Sequence, residues 1–269
     1  MRTSRRVALG AVAAGTLALL YVPLVAVAAL SLNASRYGVR WTGLTLDWYL
    51  RLLRNRVVLR AALNTLTLAA VSTTVSTVLG TLLALGLERF PWPPRLKRAA
   101  DALVYVPVVI PDIVFAVGML LAFEAARGLF ASLRLGMLTM VIAHITFEVP
   151  FIALVVGSRL ATIGRSVEEA ARDLYADSRY AMRRVTLPIL APGVVAGAML
   201  AFTLSLDDFV ISFFTSGPSS VTLPLYIYGA LRRGISPEIH ALSTLVFAVT
   251  VLLVAGLELA LGTPKEVKE

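Results

Sequence analysis

Six runs of apolar residues, roughly 7–32, 61–87, 102–123, 137–157, 189–214 and 240–261, dominate the chain and leave few folds open to it. A helix needs about 20 apolar residues to cross about 30 Å of hydrocarbon, and each run reaches that length. Inside hydrocarbon every backbone N–H and C=O must be bonded within the protein, so these runs are expected to be helices; they are too long for barrel strands. The expected class is an all-α membrane protein with six transmembrane helices. Composition agrees, since only 15% of the 269 residues are charged and mean hydropathy is +0.82, against about 25% charged in a soluble domain. Cysteine is absent, which excludes disulfides and thiolate metal sites, and His144 and His240 are too few for a histidine-built one. The net charge of +9 resides in arginines between the apolar runs, which suits lipid headgroups better than nucleic acid.

Lysine and arginine counts set the expected orientation. The segments before the first run, between runs two and three, between runs four and five, and after run six hold 15; the remaining loops hold 10. The richer side marks the cytoplasm, so both termini are expected inside. Ser4-Arg5-Arg6 and the apolar run behind it resemble a secretion signal, but the run is longer than a signal core and reads as an uncleaved anchor. In the first outer loop Leu46, Tyr49, Leu50, Leu53 and Val57 fall at helical spacing, which predicts an interfacial helix with Trp48 as a headgroup anchor.

Between runs four and five lies a charged segment, Gly164-Arg165-Ser166-Val167-Glu168-Glu169-Ala170-Ala171-Arg172-Asp173-Leu174, continuing to Val185-Thr186-Leu187-Pro188. Ser166 and Glu169 fit a capping box, and Glu168 and Glu169 suit the positive end of a helix dipole. A helix is predicted to start at Val167 and run to about Tyr175, with a second stretch to about Val185 and a break before Pro188. From spacing alone, an ordinary capped loop helix and a handle gripped by a soluble partner are equally good readings. No Gly-x4-Gly-Lys-Ser/Thr phosphate loop occurs, so nucleotide hydrolysis by this chain itself is not expected.

Glu169-Ala170-Ala171 followed by Leu187-Pro188 resembles the EAA loop of binding-protein-dependent ABC importer permeases, with Val185 in the family's Ile position and Tyr175 where the family has Gly. Ala201-Phe202-Thr203-Leu204-Ser205-Leu206-Asp207-Asp208-Phe209-Val210-Ile211-Ser212, with Pro188, Gly193, Gly197, Ile110-Pro111-Asp112 and His144-Ile145-Thr146-Phe147, is similar to the polyamine (spermidine/putrescine) branch. The resemblance implies a type I importer permease fold in the bacterial cytoplasmic membrane. The chain would be one transmembrane permease domain, with residues 1–58 as first helix plus outer loop. Residues 59–262 would be a five-helix core carrying the cytoplasmic coupling loop 158–188. It implies a second permease completing the pore, a separate homodimeric ATPase that binds the ATP, and a periplasmic binding protein. The coupling residues would be Glu168, Glu169, Ala170, Ala171, Asp173, Leu174 and Tyr175, and the chain would need no cofactor of its own.

Carboxylates at membrane depth are costly and mark a pathway by default; here they are Asp112, Glu148, Asp207, Asp208 and Glu258. On one continuous helix Asp207 and Asp208 point about 100° apart. Ser205, Asp208, Ser212 and Thr215 form the more polar stripe, which favours Asp208 for the pore and Asp207 for a structural bond. Asp112 can cap a helix interrupted by Pro107 and Pro111, line the pore, or both. His144 and Glu148, four apart, can pair with each other, and Glu258 reads as interfacial. Tyr105, Phe147, Tyr226 and Tyr228 could meet an amine through cation–π contact, or simply pack. Apart from an importer permease, a stand-alone proton-coupled transporter using Glu148 or Asp208 remains open.

Overall fold

The computed structural model describes residues 2–35, 40–130, 133–164, 166–234 and 237–261. Every regular element among them is helical: α1 (Arg2–Ser31), α2 (Asp47–Arg54), α3 (Arg56–Arg89), α4 (Pro94–Val109), α5 (Asp112–Leu129), α6 (Met137–Ile163), α7 (Ser166–Asp173), α8 (Ser178–Ala181), a π segment (Met182–Thr186), α9 (Leu187–Asp207), α10 (Val210–Thr215), α11 (Leu223–Arg232) and α12 (Pro237–Leu261). Residues group into two compact units, Arg60–Tyr226 and Met1–Leu59 with Ile227–Glu269.

Leu9–Ser31, Arg56–Arg89, Met137–Ile163 and Ser178–Asp207 are each long and apolar enough to cross a membrane. The third apolar run is split, and α4 and α5 meet at 106°. Pro111 is the cause: it disfavours helical backbone at Ile110, which is extended (φ −68°, ψ 135°). Counted together the bent pair makes a fifth span, and the described apolar stretch of α12, Pro237–Leu252, is shorter. Glu258 lies outside the described side chains.

In the unit Arg60–Tyr226, α6 packs against α3, α4 and α9 around Ile152, Val156, Leu160, Ala84, Val104, Leu190 and Ala201. Apolar burial drives helices together weakly in lipid, so close backbone approach matters more. Glycines supply it. A Cβ at Gly80 would lie 2.7 Å from Ile152 Cβ, and one at Gly193 2.9 Å from Arg159 Cβ.

In the other unit α12 packs along α1, and the loop after α1 is organised by Asn33. Its Oδ1 accepts from the Ser35 and Thr42 amides, and its carbonyl accepts the Trp48 indole N–H at 2.9 Å. Trp48 is therefore buried and is not a headgroup anchor; with Leu52 it forms the inner face of α2, while Leu46, Leu50, Leu53 and Val57 are exposed.

The chain between α6 and α9 departs from expectation at its end. Rather than breaking before Pro188, it runs on into α9 through the π segment, with the Leu187 amide donating back to Met182 O. The wider turn accommodates proline, which lacks an N–H and would crowd the carbonyl four residues earlier in a regular helix.

Candidate functional site

Two clusters, both inside the unit Arg60–Tyr226, hold nearly all the candidate residues. The first is the loop between α6 and α9. Gly164 ends α6 with φ +69°, and α7 starts at Ser166, one residue before the predicted start. On α7, Val167, Glu168 and Ala171 are half-buried, whereas Glu169, Ala170 and Asp173 are exposed, as are Leu174 and Tyr175 behind them.

Helix α7 closes on Tyr175, the one non-glycine residue with positive φ (+61°) among those described. The Ala176 amide donates to Ala171 O at 3.0 Å and the Tyr175 amide to Arg172 O at 2.9 Å. This is a Schellman closure, whose left-handed position is usually glycine because a side chain there is strained. Tyrosine thus makes the tight turn in the position where glycine is usual, and the residue is 98% exposed. Asp177 then caps α8 by accepting from the Tyr180 amide.

Glu168 does not join the exposed face. Its Oε1 accepts from Arg89 Nε at 2.9 Å and from Thr186 Oγ1 at 3.3 Å, and Arg89 Nη2 donates to Gly164 O at 3.0 Å. Arg89 and Thr186 join this site from 79 and 18 residues away in the sequence, so no local pattern marks them as candidates.

The second cluster is a buried polar network spanning α3, α6, α9 and α10. Ser72 and Ser76 share one face of α3, and His144 and Glu148 one face of α6. Glu148, 1% exposed, accepts from Ser72 Oγ at 2.8 Å and Ser76 Oγ at 2.6 Å. Its distance to His144 Nδ1 is 3.9 Å, so the expected His144–Glu148 hydrogen bond is not made. His144 instead meets Ser205 Oγ at 2.8 Å through Nδ1, and Ser212 Oγ at 3.2 Å and Asp208 Oδ2 at 3.3 Å through Nε2. A hydroxyl, an imidazole and a carboxylate in this order could pass a proton. Ser205 is nevertheless buried and faces Ser72 at 3.2 Å, an arrangement for tying helices together. Ser72 and Ser76 were legible only as polar residues four apart in an apolar run.

The fold separates the paired aspartates. They do not lie on one helix: α9 ends at Asp207, and Asp208 is extended (φ −61°, ψ 126°). Asp208 accepts from the Ile211 and Ser212 amides at 3.1 and 2.8 Å, so it caps α10 besides facing His144. Asp207 is the exposed member. It is the last residue of α9, where the carbonyl end of the helix dipole adds negative potential to its carboxylate.

The remaining candidates separate by exposure. Asp112 is exposed in the first turn of α5, whose N-cap is Pro111 without a side-chain bond, so Asp112 supports the helix dipole without capping it. Tyr105 on α4 is exposed. Phe147 is half-buried and packs between Phe115 and Phe151, with centroids at 5.4 and 5.1 Å. Tyr226 is half-buried. In the other unit, Tyr228 lies under the Arg232 guanidinium at 4.9 Å.

Comparison with known proteins gives this geometry a context. Residues 76–261 match the family described as binding-protein-dependent transport system inner membrane component. The chain is 38% identical over 242 residues to the spermidine/putrescine transport system permease protein PotC of Escherichia coli strain K12, covering 90% of this chain and 89% of that one. It is 40% identical over 228 residues to the putrescine transport system permease protein PotI of the same strain, covering 84% and 81%. In fold it is similar to a chain of a bacterial ABC transporter that imports the acidic polysaccharide alginate, with TM-score 0.72, 20% identity and 93% of each chain covered.

Proposed function

The chain belongs to the binding-protein-dependent transport system inner membrane components, a permease subunit of an ABC importer, and on that premise we propose that it forms half of a polyamine-conducting pore. The observation that carries the reading is the α7 surface. Glu169, Ala170, Asp173, Leu174 and Tyr175 stand exposed on a turn whose backbone is closed and whose inner face is anchored to α3. A docking surface must be tied to the spanning helices to transmit force, and the turn closure and the Arg89–Glu168 pair tie this one. The docking partner is a separate homodimeric ATPase that binds the ATP. The chain itself is a pore subunit of the bacterial cytoplasmic membrane, with six crossings and both termini inside. A second permease completes the pore, and a periplasmic binding protein delivers the solute.

Polyamines are the proposed solute. The spermidine/putrescine and putrescine permeases, at 38% and 40% identity, support this. So does the local chemistry: Asp207 and Asp112 are exposed carboxylates at two interruptions of apolar helices. An amine passing Asp207 would meet that carboxylate and the α9 carbonyls together. Tyr105 offers an aromatic face. Asp208 and Glu148 act from behind, fixing the interruption. The alginate importer shares the fold at 20% identity, so the fold alone leaves the solute open and the acidic groups carry the choice. Proton carriage by Glu148 or Asp208 has less support, because hydroxyls enclose the one and the other caps a helix.

Uptake of labelled putrescine and spermidine, set against an amino acid and an inorganic anion, tests the solute class. Amine uptake should dominate, and replacing Glu169 or deleting 165–178 should abolish it while the chain stays in the membrane. Amine uptake that survives the deletion would remove the docking reading. Preference for the anion would remove the polyamine assignment.

A further inference from the structure

We propose that the Arg89–Glu168 pair is a strut that carries movement of the docking loop into α3, and that Glu168 is a positioning residue of this kind rather than a docking residue. The inference rests on the reading above, that an ATPase grips the exposed face of α7.

Four observations carry it. The Glu168 carboxylate is a junction: Arg89 is the last residue of α3, Gly164 ends α6, and Thr186 leads into α9, and all three are joined through Glu168 or its arginine. The pair is sheltered, with each side chain only 16% exposed, so solvent and salt screen it less than a surface pair. Glu168 lies on the inner face of α7, away from Glu169, Ala170 and Asp173. Finally, α3 is a single helix from Arg56 to Arg89 and bears Ser72 and Ser76. Those serines sit about 20–25 Å from Arg89 at about 1.5 Å of rise per residue. A continuous helix without an interior proline moves largely as a body. Displacing its end therefore displaces the donors that hold Glu148 and, through Ser205, His144 and the α10 cap.

This assigns the two neighbouring glutamates different duties. Glu169 faces outward, toward a partner. Glu168 faces inward and converts a push on α7 into a shift of α3. Without it α7 would remain joined to α6 and α9 through the backbone, but α3 would lose its ion pair with α7 and keep only the Arg89 bond to Gly164 O at the end of α6.

The test uses the whole importer in liposomes: this chain, the second permease, the ATPase and the binding protein. Two quantities are read: labelled spermidine taken up per ATP hydrolysed, and cross-linking of Leu174→Cys to the ATPase. Because the first is a ratio, it does not depend on how much chain survives purification. Arg89→Ala and Glu168→Gln should keep the cross-link and the hydrolysis while uptake per ATP falls about tenfold, the effect of losing one charge-assisted, sheltered pair. The reversed pair R89E/E168R should recover part of the loss, since it restores attraction but opposes both helix dipoles. Glu124→Gln, which removes an exposed pair with Arg127, should change neither quantity.

Unchanged uptake per ATP in Arg89→Ala overturns the strut, as does a reversed pair no better than the single variants. Loss of the cross-link in Glu168→Gln alone also overturns it, because Glu168 would then be a docking residue. Failure of Leu174→Cys to capture the ATPase in the otherwise native chain overturns the docking reading instead.

Discussion

Single residues divide the site's work in a way that substitution can separate. Tyr175 holds a left-handed backbone that costs a residue with a side chain about 1–2 kcal/mol, yet the residue is almost wholly exposed. Tyr175→Gly should relieve that strain and raise the thermal midpoint slightly, offset in part by unfolded-chain entropy. Tyr175→Ala should keep the strain. If the ring contacts the ATPase, both variants weaken ATPase capture in a pull-down titration. Equal or tighter capture by Tyr175→Gly would show that only the turn matters. The aspartates separate similarly. Asp208→Ala should destabilise the chain by about 1–2 kcal/mol through the lost α10 cap, read as a lower melting temperature in detergent. Asp207→Asn should not lower the melting temperature, since it removes a negative charge from the C-terminal end of α9, and should reduce polyamine uptake about tenfold, as expected for one lost charge-assisted contact. A melting loss in Asp207→Asn with uptake per folded chain intact would reverse these roles.

At the scale of elements, α3 and α6 are held by close backbone approach and by the hydroxyls that enclose Glu148. Gly80→Ala places a methyl 2.7 Å from Ile152 Cβ, so the helices must separate, at a cost of about 1–3 kcal/mol. Replacing Ser72 and Ser76 together by alanine removes two hydroxyl partners from the buried Glu148 carboxyl group and should cost about 1–3 kcal/mol, since a buried polar group left unsatisfied is expensive. Thermal unfolding of the purified chain reads both; no shift in either would mean these helices are not packed as described. These pairings also mark the limit of what the sequence reveals. Ser72 and Ser76 are 76 and 72 residues from Glu148, and Arg89 is 79 from Glu168. A local window instead offers His144 as the partner of Glu148, which the folded chain holds at 3.9 Å. The interruption at Asp207–Asp208 is equally hidden. No proline or glycine marks it, and it arises because Asp208 draws the Ile211 and Ser212 amides to its own side chain. By contrast, Pro111 announces the bend between α4 and α5, and the spacing from Glu169 to Pro188 announces the loop, because both signals are local. The length of the apolar runs likewise makes the helical class readable, since lipid allows few alternatives.

At the scale of the whole molecule, the family match, the exposed α7 face and the acidic helix interruptions converge on a subunit that needs an external motor. Reconstitution addresses this directly. Vesicles are prepared with this chain, its second permease, the ATPase and the binding protein, and loaded with ATP at the ATPase face. Labelled spermidine should accumulate only while ATP is hydrolysed, and accumulation should vanish when residues 165–178 are deleted. Accumulation driven by a proton gradient in vesicles lacking the ATPase would contradict the importer account.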